Sequence, residues 1–147
     1  MACRRARSCR RPRRGHGTVS VLPPVELLIC TTCKREGMDP EATRPGALLH
    51  EALAGGEMPE NVVVKPVECL SNCSHGCSVV LRGGAGRWTY VYGNLSEDAV
   101  DVVREGAARY AATADGLVPW RERPEHFRKN CIARIPPINA PIPSLEP

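Results

Sequence analysis

Five cysteines constrain this chain more than any other feature. They stand in two groups, Cys30-Thr-Thr-Cys33 and Val67-Glu-Cys-Leu-Ser-Asn-Cys-Ser-His-Gly-Cys77, so that C-x2-C is followed after thirty-five residues by C-x3-C-x3-C. Soft thiolate sulfur suits iron-sulfur units and zinc, and four thiolates from two loops are what a 2Fe-2S cluster takes, two on each iron. A zinc ribbon pairs two C-x2-C knuckles with x2 to x4 spacing, which the x3 spacings permit without demanding. The candidate metal ligands are Cys30, Cys33, Cys69, Cys73 and Cys77. Whatever fold the chain adopts must bring the two groups together.

With 147 residues the chain fits one domain flanked by tails. Aromatic residues make up only 4% of it, so the core must be assembled from Val, Leu, Ile and Ala. Eight cysteines in a secreted protein would imply a disulfide framework, but that pattern comes with a signal peptide and scattered cysteines. The first apolar stretch, 19–29, is broken by Pro23, Pro24 and Glu26, and no run reaches the ~18 apolar residues of a membrane span. A soluble cytoplasmic protein with no membrane association is expected, where clustered cysteines bind metal or do redox chemistry.

The formal net charge of +4 is unevenly placed. Seven arginines (Arg4, Arg5, Arg7, Arg10, Arg11, Arg13, Arg14) crowd the first fourteen residues, and without them the rest carries −3. The body has no basic stripe interleaved with aromatic residues, which argues against nucleic-acid binding.

Residues 1–24, rich in Arg, Pro and Gly and holding Cys3 and Cys9, read as a disordered tail. The domain proper is expected over 25–113. Its apolar run 25–29 reads as a buried strand ending at Cys30, and 34–40 as a polar loop. Pro45 suits the first turn of a helix whose face is Leu48, Leu49, Ala52 and Leu53, and Gly55-Gly56 stops it. The β-branched run 61–67 is a second strand leading to Cys69, with Pro66 at its end or on a sheet edge. Strand, helix and strand imply a parallel pair joined by a right-handed crossover, which puts both cysteine groups at one end of a sheet. Residues 77–82 and 87–92 read as a hairpin turning through Gly83-Gly84-Ala85-Gly86. Ser96, followed by Glu97 and Asp98, reads as the N-cap of a second helix that buries Val100, Val103, Ala107 and Tyr110. Residues 114–147 read as a Pro-rich extension with a short helix at 125–133 and a disordered tail. The fold class is α/β: a β-α-β-β-α core with a mixed four-stranded sheet.

These residues resemble known patterns. Val67-Glu-Cys-Leu-Ser-Asn-Cys73, preceded by Cys33, is similar to the second motif of thioredoxin-like 2Fe-2S ferredoxins, including the ferredoxin-like subunit of respiratory NADH dehydrogenase. The strand order of that fold is also β-α-β-β-α. More closely, Cys30-Thr-Thr-Cys33, residues 67–77, Trp88-Thr-Tyr-Val-Tyr-Gly93 and Gly116-Leu-Val-Pro-Trp-Arg-Glu-Arg-Pro124 resemble an uncharacterised bacterial family of predicted metal-binding proteins, over about residues 25–137. The resemblance implies a thioredoxin-like core and a 2Fe-2S cluster on Cys30, Cys33, Cys69 and Cys73. Two departures stand out: the first pair is spaced more closely than in those ferredoxins, and Cys77 stands where they need no cysteine. Cys77 is then a substitute for one of the four, a spare, or part of a different cluster. Related bacterial proteins are sometimes associated with cobalt and cobalamin metabolism, which implies a donor role there as one expectation.

The residues read as an electron carrier rather than an enzyme, exchanging single electrons with a redox partner protein. Backbone N–H groups of residues 71–76 would tune the potential. A structural zinc or metal-delivery module is the alternative. A third reading is a thiol-disulfide oxidoreductase using Cys30 and Cys33, although the helix whose N-terminus would activate a thiolate begins ten or so residues later. His75 reads as a solvent-facing hydrogen-bonding residue in preference to a ligand, and Cys131 as an isolated thiol. Trp120 reads as the anchor of the extension; the other expectation is that Arg121 and Arg123 beside it bind a phosphate, a carboxylate or an acidic partner. No nucleophile elbow or triad spacing points to a hydrolase.

Overall fold

The computed structural model describes residues 22–34 and 37–139. The expected Arg-rich tail, with Cys3 and Cys9, lies outside the described residues up to residue 21, as does the end of the Pro-rich tail from residue 140.

The first strand, β1 (Val25–Cys30), is buried at every position but the half-buried Glu26. Near-continuous burial marks a central strand flanked on both edges. β1 pairs in parallel with β2 (Val62–Val67) and antiparallel with β3 (Val79–Arg82). β2 alternates between half-buried and exposed over its first four residues and forms one edge of the sheet. An edge tolerates Pro66, which has no N–H to give a neighbour. β3 turns back into β4 (Thr89–Tyr92) through 83–86, where Gly84 adopts φ +68, a left-handed conformation that glycine takes without strain. Both hairpin strands begin two residues later than expected, leaving Cys77 and Arg87 outside the ladder.

The sheet has five strands, in the order β2-β1-β3-β4-β5, where four were expected. The fifth, β5 (Cys131–Ile135), comes from the segment expected to be helical over 125–133. Only its first half is helix, α3 (Glu125–Lys129). Asn130 ends it: its side-chain amide donates back to the His126 carbonyl at 3.0 Å, while its own carbonyl accepts the Gly93 N–H at 3.1 Å. The chain then runs antiparallel to β4, with Thr89 opposite Ile135. That pairing joins residues some forty positions apart, so no local pattern signals it.

Two helices complete the core. In α1 (Pro45–Ala54), Pro45 occupies the first turn as expected, and Leu49 and Leu53 are fully buried. Each such burial stabilises the fold by roughly 1.5–3 kcal/mol. The expected face was too wide, since Leu48 and Ala52 are exposed. α2 (Val100–Ala111) starts one turn later than a Ser96 cap would place it, because residues 97–99 form a separate turn in which the Ser96 carbonyl accepts the Ala99 N–H. Its Val103, Ala107 and Tyr110 join Leu49, Leu53 and the strand residues Val25, Leu27, Ile29, Val79, Leu81 and Tyr90 in one apolar cluster.

Arg87 is buried at 2% exposure with carbonyls as its partners: Pro23, Thr113 and Ala111 accept from its guanidinium. It thereby ties the N-terminal entry and the end of α2 to the hairpin. Among the described residues no helix is long and apolar enough to cross a membrane.

Candidate metal centre

Parallel pairing of β1 with β2 places Cys30 opposite Val67. The residue that ends the first strand therefore stands beside the one that leads into Cys69. Past this point the two chains are joined by the threonines between the first two cysteines. The Thr31 N–H and hydroxyl both donate to the Val67 carbonyl, at 2.9 and 3.3 Å, and the Thr32 hydroxyl donates to the Glu68 carbonyl. The spacer of the C-x2-C motif is thus a splice between the two motifs, a role that spacing alone does not reveal.

Four cysteines fall into two pairs whose ionisations are linked. Cys30 and Cys33 form the first, and both are 1% exposed. Cys69 and Cys73 form the second, and both are exposed. Cys73 also lies within electrostatic reach of Cys30. Peptide N–H groups face all four sulfurs: Leu70 faces Cys30, Ser78 faces Cys33, Ser71 faces Cys69 at 3.2 Å, and Cys73 faces its own. The sequence pointed to donors within 71–76; Ser71 and Cys73 are two, while Leu70 and Ser78 flank that range.

These contacts split the ionisation of the buried pair. Burial pushes the Cys30 thiol up, but hydrogen bonds from Cys33 and from the Leu70 and Thr32 peptides outweigh it and bring the thiol below its ordinary value. Cys33 is pushed up to about 12, first by burial and then by the proton it shares with Cys30. Cys73 is raised by its hydrogen bond to Cys69 and by charge on that neighbour.

Two glycines hold this geometry. A Cβ on Gly46, in the first turn of α1, would stand 1.8 Å from the Cys30 carbonyl oxygen. A Cβ on Gly76 would stand 2.7 Å from Cys33 Cβ and 2.8 Å from its sulfur. The only sequence signal for the first is a glycine directly after the helix-starting proline, where a better helix former would be usual. Gly46 also brings the start of α1 against Cys30 in space, although eleven residues separate Cys33 from Pro45 along the chain.

Cys77, the fifth candidate, is buried in the apolar core cluster at 1% exposure. Its N–H and carbonyl exchange hydrogen bonds with Leu95 at 2.9 and 3.1 Å, and it lies within electrostatic reach of Cys33. His75 closes the short 3-10 turn Cys73–His75 and directs Nδ1 to the Asn94 side-chain oxygen at 3.3 Å. Asn94 in turn donates to the Asn130 side chain at 3.0 Å, which links the cysteine loop to the junction of α3 and β5.

Cys131 opens β5 opposite Tyr92, outside the two pairs. The extension is held by Arg123 and by the buried Phe127, whose ring stacks on Tyr92, more than by Trp120. Arg123 Nε donates to the Val118 carbonyl at 2.7 Å and its guanidinium lies 5.5 Å from the Tyr90 ring centre, while Trp120 is 58% exposed.

Two thiol pairs, with peptide N–H groups turned to the sulfurs, fit a cluster that takes two thiolates on each of two irons. Among the described residues no three His, Cys, Asp or Glu side chains form a ligand group for a single ion.

No curated protein matches this chain. One similar solved structure is a thioredoxin-like [2Fe-2S] ferredoxin from Aquifex aeolicus, at 17% identity over 80% of this chain and 98% of that chain, with a TM-score of 0.49. Residues 27–137 match the model of a family described as protein of unknown function (DUF1636). That span takes in both cysteine groups and all of the sheet except Val25 and Glu26, and the chain belongs to the DUF1636 family.

Proposed function

We propose that this protein is a 2Fe-2S electron carrier with Cys30, Cys33, Cys69 and Cys73 as ligands. The observation that carries the reading is the pairing of these thiols at the shared end of two parallel strands. When bound, the cluster takes up and releases one electron at a time. Cys30 and Cys33 would hold its inner side away from water. Cys69 and Cys73, both exposed, would form the edge at which a redox partner protein docks. Peptide N–H groups of Leu70, Ser71 and Ser78 point at sulfurs and would stabilise the added negative charge of the reduced state.

A second reading has an observation of its own. Lowering one thiol of a C-x2-C pair while raising the other is what a thiol-disulfide oxidoreductase needs, with Cys30 as nucleophile and Cys33 as its partner. Against it, Cys30 is 1% exposed, which leaves little access for a protein disulfide.

Anaerobic purification followed by a visible spectrum with iron, zinc and acid-labile sulfide analysis separates the readings. Brown protein holding about two irons and two sulfides per chain supports the carrier. Colourless protein with stoichiometric zinc, or metal-free protein with a Cys30–Cys33 disulfide, rejects it.

A further inference from the structure

At the end of β1 away from the cysteines, a cavity of about 620 Å³ opens beside Glu26. Glu26 stands four residues before Cys30, roughly 13 Å along an extended strand, so this cavity is separate from the candidate metal centre. Its volume is in the ~300–1,000 Å³ range of small-molecule sites.

The lining carries an excess of positive charge. Lys65, Arg82 and Arg87 contribute three cations and Glu26 one carboxylate. Glu26 is shared between two of them, with Oε1 2.7 Å from Lys65 Nζ and Oε2 2.7 Å from Arg82 Nε. Arg82 meets Glu26 through Nε, and the side chains of Lys65 and Arg82 are 51% and 54% exposed, so both cations have donors toward solvent. Arg87, buried, gives its hydrogen bonds to carbonyls, so its charge is not cancelled by a carboxylate in those contacts. Beside Thr89 and the hairpin glycines, an apolar wall is built by Val63, Ile135 and Ile138 with Pro136.

We propose that this cavity binds an organic carboxylate with an apolar body, its head group between Lys65 and Arg82 and its body against Val63 and Ile135. The class follows from Glu26 itself, a planar carboxylate already bridging these two cations, and from the apolar wall, which an inorganic anion would leave unused. Glu26 acts as an internal competitor that sets the affinity: it orders the cations and repels the ligand's charge.

The test uses the full chain and the fluorescent probe 8-anilinonaphthalene-1-sulfonate, displaced by octanoate, octan-1-ol or inorganic phosphate. One probe bound per chain, displaced by octanoate but by neither octan-1-ol nor phosphate, is expected. Lys65→Ala with Arg82→Ala should weaken octanoate by at least about tenfold, as one lost charge-assisted contact accounts for ~1.5–3 kcal/mol. Ile135→Ala, which leaves the charges intact, should weaken it about threefold through the apolar wall. Glu26→Gln should tighten octanoate several-fold, a gain that a merely structural ion pair does not produce. Equal displacement by octan-1-ol would show an apolar patch only, and displacement by phosphate a simple anion site; either overturns the proposal. So does unchanged octanoate affinity in the double variant with its visible spectrum and circular dichroism intact.

Discussion

Gly46 and Cys30 meet backbone to backbone: the Cα of one lies so close to the carbonyl oxygen of the other that a Cβ would come within 1.8 Å of it. The contact seats the first turn of α1 against the end of β1, where the first cysteine pair begins.

Gly46→Ala should therefore push the helix off the strand. Overpacking against backbone, which cannot move aside like a side chain, should cost ~3 kcal/mol and speed metal loss to a chelator. Gly86→Ala is the control, with nothing within 4 Å of an added Cβ, and should be neutral or slightly stabilising. Urea denaturation of both variants checks the contrast; a neutral Gly46→Ala would contradict the contact.

The cysteines should divide by position. Replacing Cys30, Cys33, Cys69 or Cys73 singly with Ser should abolish or shift the visible spectrum of anaerobically purified protein. Cys77→Ala should retain the spectrum and lose ~1–2 kcal/mol of stability, because Cys77 sits in the core cluster. Loss of colour in Cys77→Ala, with the fold retained, would make Cys77 a ligand.

Alkaline stability should report Tyr110. Burial pushes its phenol up to about 12, and the hydroxyl donates to the Trp88 carbonyl. An unfolded tyrosine ionises near pH 10. Between these values the unfolded chain has released the proton and the folded chain has kept it, so stability falls as pH rises through the window, by up to ~3 kcal/mol. Tyr110→Phe lacks this proton. It should be less stable than wild type by ~1 kcal/mol at pH 8, for the lost hydrogen bond, and the order should reverse toward pH 12. Parallel urea curves at several pH values measure the crossing.

Docking of the extension should depend on Phe127. Its ring stacks on Tyr92 with centroids 3.9 Å apart and fills the space above Gly106, where a Cβ would lie 2.0 Å from the ring. Phe127→Ala should cost ~3–5 kcal/mol and raise hydrogen exchange through α3 and β5 before the rest of the sheet. Equal protection of β5 and β1 in the variant would show that the extension does not depend on this ring.

Much of this architecture was legible along the chain. Pro45 and Gly55 bracketed α1, Pro66 pointed to a strand end or a sheet edge, and the glycines of 83–86 marked the hairpin, because each acts through backbone geometry within a few residues. The strand-helix-strand order alone implied that Cys30 and Cys69 would emerge together, since a parallel pair with one crossover leaves no other arrangement. What folding decided involves partners far apart in sequence. β5 is a strand because β4 offers it an edge, although its own residues also suit a helix end. Thr31 and Thr32 matter because Val67 and Glu68 lie opposite, and Gly46 because α1 returns to Cys30. The division of five similar cysteines into a buried pair, an exposed pair and one core residue rests on burial and hydrogen bonding, which local spacing does not encode.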